Sequence, residues 1–206
     1  MEARADTCSP YSIRRGDVVG HAASLYIPRV AGRLAAHHLD GFSAGLWLAQ
    51  RDPRLGDAWM FDYARMVAPL VPSDTSLIVT PPSWLRRDEA RGRFVSALGR
   101  AVAQILALPH TEPWLTAPGS RCDPGQLGSP FICHRDFNGE RVCIVDDLVV
   151  SGATLARCGR ALLAARAARP VPAAALALRE TPRRPRRSAA SARSATQGQR
   201  LQPAAA

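Results

Sequence analysis

Asp146 and Asp147 are adjacent carboxylates, and Ser151-Gly152-Ala153-Thr154 follows them after a short apolar step, Leu148-Val149-Val150. Ionised carboxylates only accept hydrogen bonds, so they suit sugar hydroxyls, and they hold Mg²⁺ directly or through water. The second group asks for a different ligand. It opens an alanine- and leucine-rich stretch, Leu155 to Ala168, that reads as a helix. A helix start leaves backbone N–H groups unpaired and carries partial positive charge, which suits a phosphate. Gly152 lets the backbone approach an anion without a Cβ in the way. The hydroxyls of Ser151 and Thr154 add donors, and hydrogen bonds to a charged group contribute about 1.5–3 kcal/mol each. A phosphate cradle beside a hydroxyl-binding acid pair describes a site for a sugar phosphate.

The element that must position these groups is Val142-Cys143-Ile144-Val145, an apolar run with the composition of a strand buried on both faces. The acids follow where such a strand would emerge into solvent. In open α/β sheets ligands bind at the carboxyl ends of strands. The expectation is therefore an acid pair exposed in a crevice, so that Asp147→Asn would weaken ligand binding with little loss of stability. A plain buried strand, with Ser151 or Thr154 as a helix cap, explains neither the acid pair nor the glycine. No Gly-x4-Gly-Lys-Ser/Thr is present, which excludes a P-loop.

The stretch 142–154 resembles the phosphoribosyl pyrophosphate (PRPP) signature of type I phosphoribosyltransferases: four apolar residues, two acids, a short apolar step, then Thr/Ser-Gly-x-Thr. The resemblance implies that Asp146 and Asp147 face the ribose hydroxyls, with Mg²⁺ bound there directly or through water. It implies that Val150, Ser151, Gly152, Ala153 and Thr154 wrap the 5′-phosphate. A second partial match is similar to the ComF branch, in which a strand ending in Pro-Val-Pro leads into an arginine-rich loop, Arg-Gly-Phe-Asn and a long helix. The corresponding residues are Thr80-Pro81-Pro82, Arg86-Arg87 and Arg91-Gly92-Arg93-Phe94, departing at the asparagine. Thr80, Pro81, Pro82 and Ser83 take the place of the family's pyrophosphate loop. Arg86, Arg87 and Arg91 become candidate pyrophosphate contacts, because guanidinium forks match phosphate oxygens; a solvated basic loop is the alternative. The family's mobile loop falls on 117–140, with Arg121, Arg135 and His134 as candidate residues for its closure. In 6-oxopurine members an aspartate directly precedes the Thr-Gly of the signature; Val150 stands there, which disfavours hypoxanthine or guanine as acceptor.

The composition fits one domain of ordinary size with extensions: 206 residues, 47% hydrophobic. No apolar run approaches the roughly 20 residues of a membrane helix and no signal-peptide core follows the start, so a soluble cytoplasmic protein is expected. The net charge is +10, and all 27 basic residues are arginine. Residues 181–206 hold six arginines and no acid, which leaves 21 basic against 17 acidic residues in the body and argues against nucleic-acid binding by the whole domain. The five cysteines form no C-x-x-C pair, so neither a zinc site nor a disulfide framework is supported, and Cys143 reads as a small core hydrophobe.

Along the chain, residues 1–55 read as an extension or cap, with Arg14-Arg15-Gly16-Asp17 as loop and a short helix over 30–39 carrying His37 and His38. Asp57 would cap a helix to Leu70 with Met60, Tyr63, Ala64 and Val67 on one face. Leu77 to Thr80 is a strand. Residues 91–108 form an amphipathic helix with Phe94, Leu98, Val102, Ile105 and Leu106 inward. Further strands are expected at 114–116 and 173–178. This alternation predicts an α/β fold with a mostly parallel sheet and helices on both faces; the resemblance makes it a three-layer, type I phosphoribosyltransferase-like domain over 56–180. The tail 181–206 is too polar to repay its ordering entropy and is expected to be disordered, with weak nucleic-acid contact as its functional reading.

The function implied is PRPP-dependent, Mg²⁺-assisted phosphoribosyl transfer to a nitrogen acceptor with release of pyrophosphate. A non-catalytic PRPP- or nucleotide-binding regulator and a ComF-like factor in DNA uptake are the alternatives, and a homodimer is left open.

Overall fold

The computed structural model describes residues 11–27, 40–82, 89–115 and 131–179. Strand β1 (Tyr11–Arg15) turns through Gly16 and Asp17 into β2 (Val18–Tyr26). Helices α1 (Gly41–Ala49) and α2 (Pro53–Val67) follow, then β3 (Leu77–Val79), α3 (Glu89–Leu106), β4 (His110–Thr111), β5 (Trp114–Leu115) and β6 (Ile132–Cys133). The chain then runs through β7 (Val142–Val149), α4 (Ala153–Ala164) and β8 (Val171–Arg179).

A six-stranded sheet has the order β1-β2-β8-β7-β3-β4. Only β1 runs antiparallel, paired with β2; the other strands are mutually parallel. One face carries α1, α2 and α3, packed through Leu46, Val67, Leu98 and Val102 onto Ile78, Val145 and Leu176. The other carries α4 and the segment around Phe137, packed onto Ile13, Val79, Ile144 and Ala173. The chain is thus an α/β protein with three layers and a mostly parallel sheet, as its alternation of apolar runs and amphipathic stretches predicts. Among the described residues no helix is long and apolar enough to cross a membrane.

The layers approach closely because small residues lie between them. Four of the nine residues of β8 are alanine, a weak strand former, yet it sits between β2 and β7 with Val171 to Ala177 buried. Gly99 of α3 lies against Thr80 and His110, and Gly159 of α4 against Val18, where any side chain would collide.

Several boundaries differ from the sequence reading. α2 begins at Pro53, because Asp52 caps it by accepting from the Arg54 amide at 3.0 Å and proline at the first turn needs no N–H partner. Its inward face is the expected one: Met60, Tyr63, Ala64 and Val67 are all buried. In α3, Phe94, Leu98 and Val102 are buried and Leu106 packs against the same core, but Ile105 is 40% exposed, on the outer flank of the helix. Residues 114–115 do not join the parallel sheet. They pair with Ile132 and Cys133 in a separate two-stranded ribbon, and β4 takes the place beside β3. Arg14 to Asp17 is a hairpin rather than loop, with Gly16 at φ +61°. β7 continues to Val149, held in register by Asp146 opposite Ala175 and Leu148 opposite Ala177. The helix expected at 30–39 and the tail 181–206 lie outside the described residues.

Candidate functional site

β3 and β7 are parallel neighbours, so Thr80 and Val150 leave the sheet at the same edge. After β7 the chain passes Val150 and Ser151 and reaches Gly152 at φ +73°, a left-handed conformation that only glycine adopts without strain. Helix α4 starts there. Its first backbone bond back to the turn is from the Ala156 amide to the Gly152 carbonyl, at 3.0 Å. The amides before it are the ones helix geometry leaves over. That of Ala153 makes a long contact of 3.3 Å with Ser151 Oγ. These amides border a cavity of about 100 Å³ lined by Arg91, Asp146 and residues 148–155.

The acid pair departs from expectation. Asp146 and Asp147 lie inside β7, 2% and 0% exposed, rather than beyond its end. Alternation sends them to opposite faces, and their surroundings differ. Asp146 lines the cavity, with its Oδ1 accepting from the Asp147 amide at 2.9 Å. Asp147 faces the α1–α3 layer. Its Oδ1 accepts from the Leu148 amide at 2.8 Å; its Oδ2 accepts from Gln50 Nε2 at 2.6 Å and from Arg91 Nε at 3.1 Å. A carboxylate can be buried this way because a cation and several donors compensate its lost hydration. Asp147 is therefore a brace among β7, α1 and α3, not a crevice residue.

Arg91 is the one candidate pyrophosphate contact that the described structure brings to the cavity, and its charge is set against Asp147. One of its terminal nitrogens is buried without a hydrogen-bond partner. Thr80 is fully buried: its hydroxyl lies 3.3 Å from His110 Nε2 and its carbonyl accepts from the Trp114 indole at 2.5 Å. Pro81 and Pro82 are buried too and have no N–H to give. Ser83, Arg86, Arg87 and Arg121 lie outside the described residues. Arg135 is elsewhere. One of its terminal nitrogens donates to both Glu140 oxygens, at 2.6 and 2.7 Å, and its guanidinium stands over the Phe137 ring, in a segment tied to the carboxyl end of α4 by Phe137 N to Ala165 O and Gly139 N to Arg166 O. That is the opposite end of α4, a helix of about 18 Å, from the turn at Gly152. The exposed His134 belongs to the same segment.

Two site residues escaped the sequence reading. Gln50 caps the carboxyl end of α1, and the Asp52-Pro53 start signal just after it was the available clue. Arg15 ends β1 and reaches the turn, donating from Nε to the Ser151 carbonyl at 2.7 Å. The Gly16-Asp17 pair between two runs rich in β-branched and aromatic residues was the hairpin signal for it.

For a divalent cation the described residues place one carboxylate, that of Asp146, on the cavity. Among them no group of three or more His, Cys, Asp or Glu could hold a metal alone. That fits Mg²⁺ only in the form it often takes, bound by one carboxylate together with substrate phosphates and water.

No protein-family model matches the chain, and no curated protein matches it. Among solved structures it is similar to a hypoxanthine phosphoribosyltransferase from Trypanosoma cruzi in complex with its product IMP, at 16% identity and a TM-score of 0.34 over 59% of this chain and 62% of that one. It is also similar to a hypoxanthine-guanine phosphoribosyltransferase from L. donovani, at 15% identity and a TM-score of 0.28 over 65% of this chain and 64% of that one. The chain thus spans less than two thirds of either protein's length, and likenesses this distant carry no argument about its activity.

Proposed function

We propose that residues 146–154 grip PRPP by its 5′-phosphate and ribose, and that the chain is a phosphoribosyltransferase acting on a nitrogen acceptor. The observation that carries this reading is the juxtaposition of the first-turn amides of α4, behind a left-handed Gly152, with the Asp146 carboxylate on one cavity. The amides and the hydroxyls of Ser151 and Thr154 take the phosphate; Asp146 accepts from a ribose hydroxyl. Asp147 is a positioning residue that holds Arg91 at the cavity, and Arg91 faces the pyrophosphate. In the reaction the bond from C1 to pyrophosphate oxygen breaks, with the electron pair leaving on pyrophosphate. The acceptor nitrogen forms its bond to C1 and gives up a proton to solvent. Asp146 would hold Mg²⁺ together with substrate oxygens, and the ion would supply charge that stabilises the leaving group. The protein's share is orientation and electrostatics. Val150 is 44% exposed and does no proton chemistry, so the acceptor is not recognised as 6-oxopurines are by an aspartate at that place.

A second reading, a PRPP- or nucleotide-binding protein without turnover, is favoured by one observation: both oxygens of Asp147 are committed to protein donors. Pyrophosphate release from PRPP and Mg²⁺, measured across a panel of amine, amide and ring-nitrogen acceptors, separates the two. Release with any acceptor supports the transferase. Calorimetric PRPP binding without release supports the second reading, and absence of both defeats each.

A further inference from the structure

The hairpin of β1 and β2 lies along the amino-terminal half of α4. Strand alternation turns Tyr11, Ile13 and Arg15 to the face that α4 covers; Ile13 is buried in that core and Tyr11 packs against it. Val18, the cross-strand partner of Arg15, fills the space left by Gly159. From there the Arg15 side chain runs to the start of the helix, where its Cγ, Cδ and Nε crowd the place a Cβ at Gly152 would take. Nε donates to the Ser151 carbonyl at 2.7 Å. One terminal nitrogen donates to the Arg14 carbonyl at 2.8 Å, which ties the guanidinium to its own strand.

The peptide that Arg15 holds is one that the helix does not. The peptide after Gly152 is fixed, because the Gly152 carbonyl accepts from the Ala156 amide at 3.0 Å. The peptide before it, from Ser151 to Gly152, lies outside the helix, and among the described residues its carbonyl accepts from Arg15 alone. Glycine takes φ of either sign at little cost, so Gly152 does not by itself keep φ at +73°. Turning that peptide over would reverse the sign of φ. It would also exchange the directions of the Ser151 C=O and the Gly152 N–H, which point opposite ways in a planar trans peptide. We propose that Arg15 is a positioning residue that locks this peptide. With the Ser151 carbonyl held on the hairpin side, the Gly152 N–H is presented to the cavity that Gly152 lines and donates to the phosphate. Released, the peptide turns over and sets a carbonyl oxygen against the anion. The bond to Ser151 does this, not the charge of Arg15. The proposal rests on the sugar-phosphate reading above.

The test is titration of the full chain with ribose 5-phosphate, read by calorimetry and by the amide NMR signal of Gly152, with ribose as the uncharged control. Two uncharged variants of equal length separate bond from charge. Glutamine carries its amide nitrogen where arginine carries Nε and can donate to Ser151; methionine covers Gly152 but has no donor. Arg15→Met should weaken ribose 5-phosphate binding about tenfold to a hundredfold, the range for loss of a hydrogen bond to a charged group. The shift of the Gly152 amide on ligand saturation should be lost with it. Arg15→Gln should bind within about threefold of wild type, a difference under 1 kcal/mol. Because the side chain is exposed, the melting midpoint of either variant should fall by no more than about 4 °C, the worth of one hydrogen bond. Should Arg15→Met fold poorly, Arg15→Ala must show the same loss of binding. If Arg15→Gln binds as weakly as Arg15→Met, charge and not the bond matters, and the lock is overturned. If wild type and Arg15→Met bind equally well, Arg15 has no role while the phosphate site stands. If wild type does not bind ribose 5-phosphate, the sugar-phosphate reading itself fails, and this proposal with it.

Discussion

Gln50 Nε2 and Asp147 Oδ2 are 2.6 Å apart, joining residues 97 positions distant in sequence. With Arg91 on the same oxygen, this bond makes Asp147 a structural keystone as well as a neighbour of the site. Asp147→Ala should lower the unfolding free energy by about 2–3 kcal/mol. That is below the usual penalty for breaking a buried pair, because the Arg91 side chain is 28% exposed and can recruit water. Denaturant unfolding reads this directly. A loss under about 0.5 kcal/mol, the ordinary range for surface changes, would restore the crevice picture of this acid.

Gly152→Ala should impair ligand binding more than folding. The left-handed φ of +73° costs a side-chain residue about 1–2 kcal/mol. The added methyl would also fall on Arg15 and reshape the turn whose amides take the phosphate. Titration with PRPP should show at least a tenfold loss, about 1.4 kcal/mol. Unaltered affinity would mean that the phosphate binds elsewhere.

His110 gives a pH dependence with a defined sign. Its pKa lies below the ordinary value of 6.5, chiefly because burial disfavours the charged ring; Arg100 acts the same way and Glu112 opposes them. A depressed folded-state pKa means the unfolded chain binds the proton more readily. The contribution is therefore fully present above pH 6.5 and is lost as pH falls below it. His110→Gln should flatten that part of the stability profile relative to wild type. Parallel profiles for the two proteins would remove His110 from the account.

Cys143 should be inert in the native state. Burial pushes its thiol up to about 12, so almost no thiolate exists at neutral pH. Site-resolved mass spectrometry after alkylation should find it unmodified until denaturant is added, and modification without denaturant would contradict its place in the core.

What the sequence disclosed and what it concealed follow the range of the interactions. The strand at Val142–Val145 and the face of Met60, Tyr63, Ala64 and Val67 depend on local periodicity, and they were readable. So was the turn at Ser151–Thr154. The burial of Asp147 depends on Gln50 and Arg91, which only the assembled sheet and helices bring to it, and no local pattern announces that. The strand at 173–178 was readable as an apolar run, but its place between β2 and β7 was not, because strand order depends on long-range pairing. Ile105 stands next to Leu106 in α3, yet Leu106 packs on the core and Ile105 is exposed, because periodicity alone does not set how wide the buried stripe is.

Among the described residues β1 is the outermost strand on its side of the sheet, and its only strand partner is β2. A chain shortened to begin at Val18 would bare the hydrogen-bonding margin of a nine-residue strand. Such a margin is a template for another copy to add to. Losing β1 should therefore make the chain self-associate, read as a larger hydrodynamic size in gel filtration.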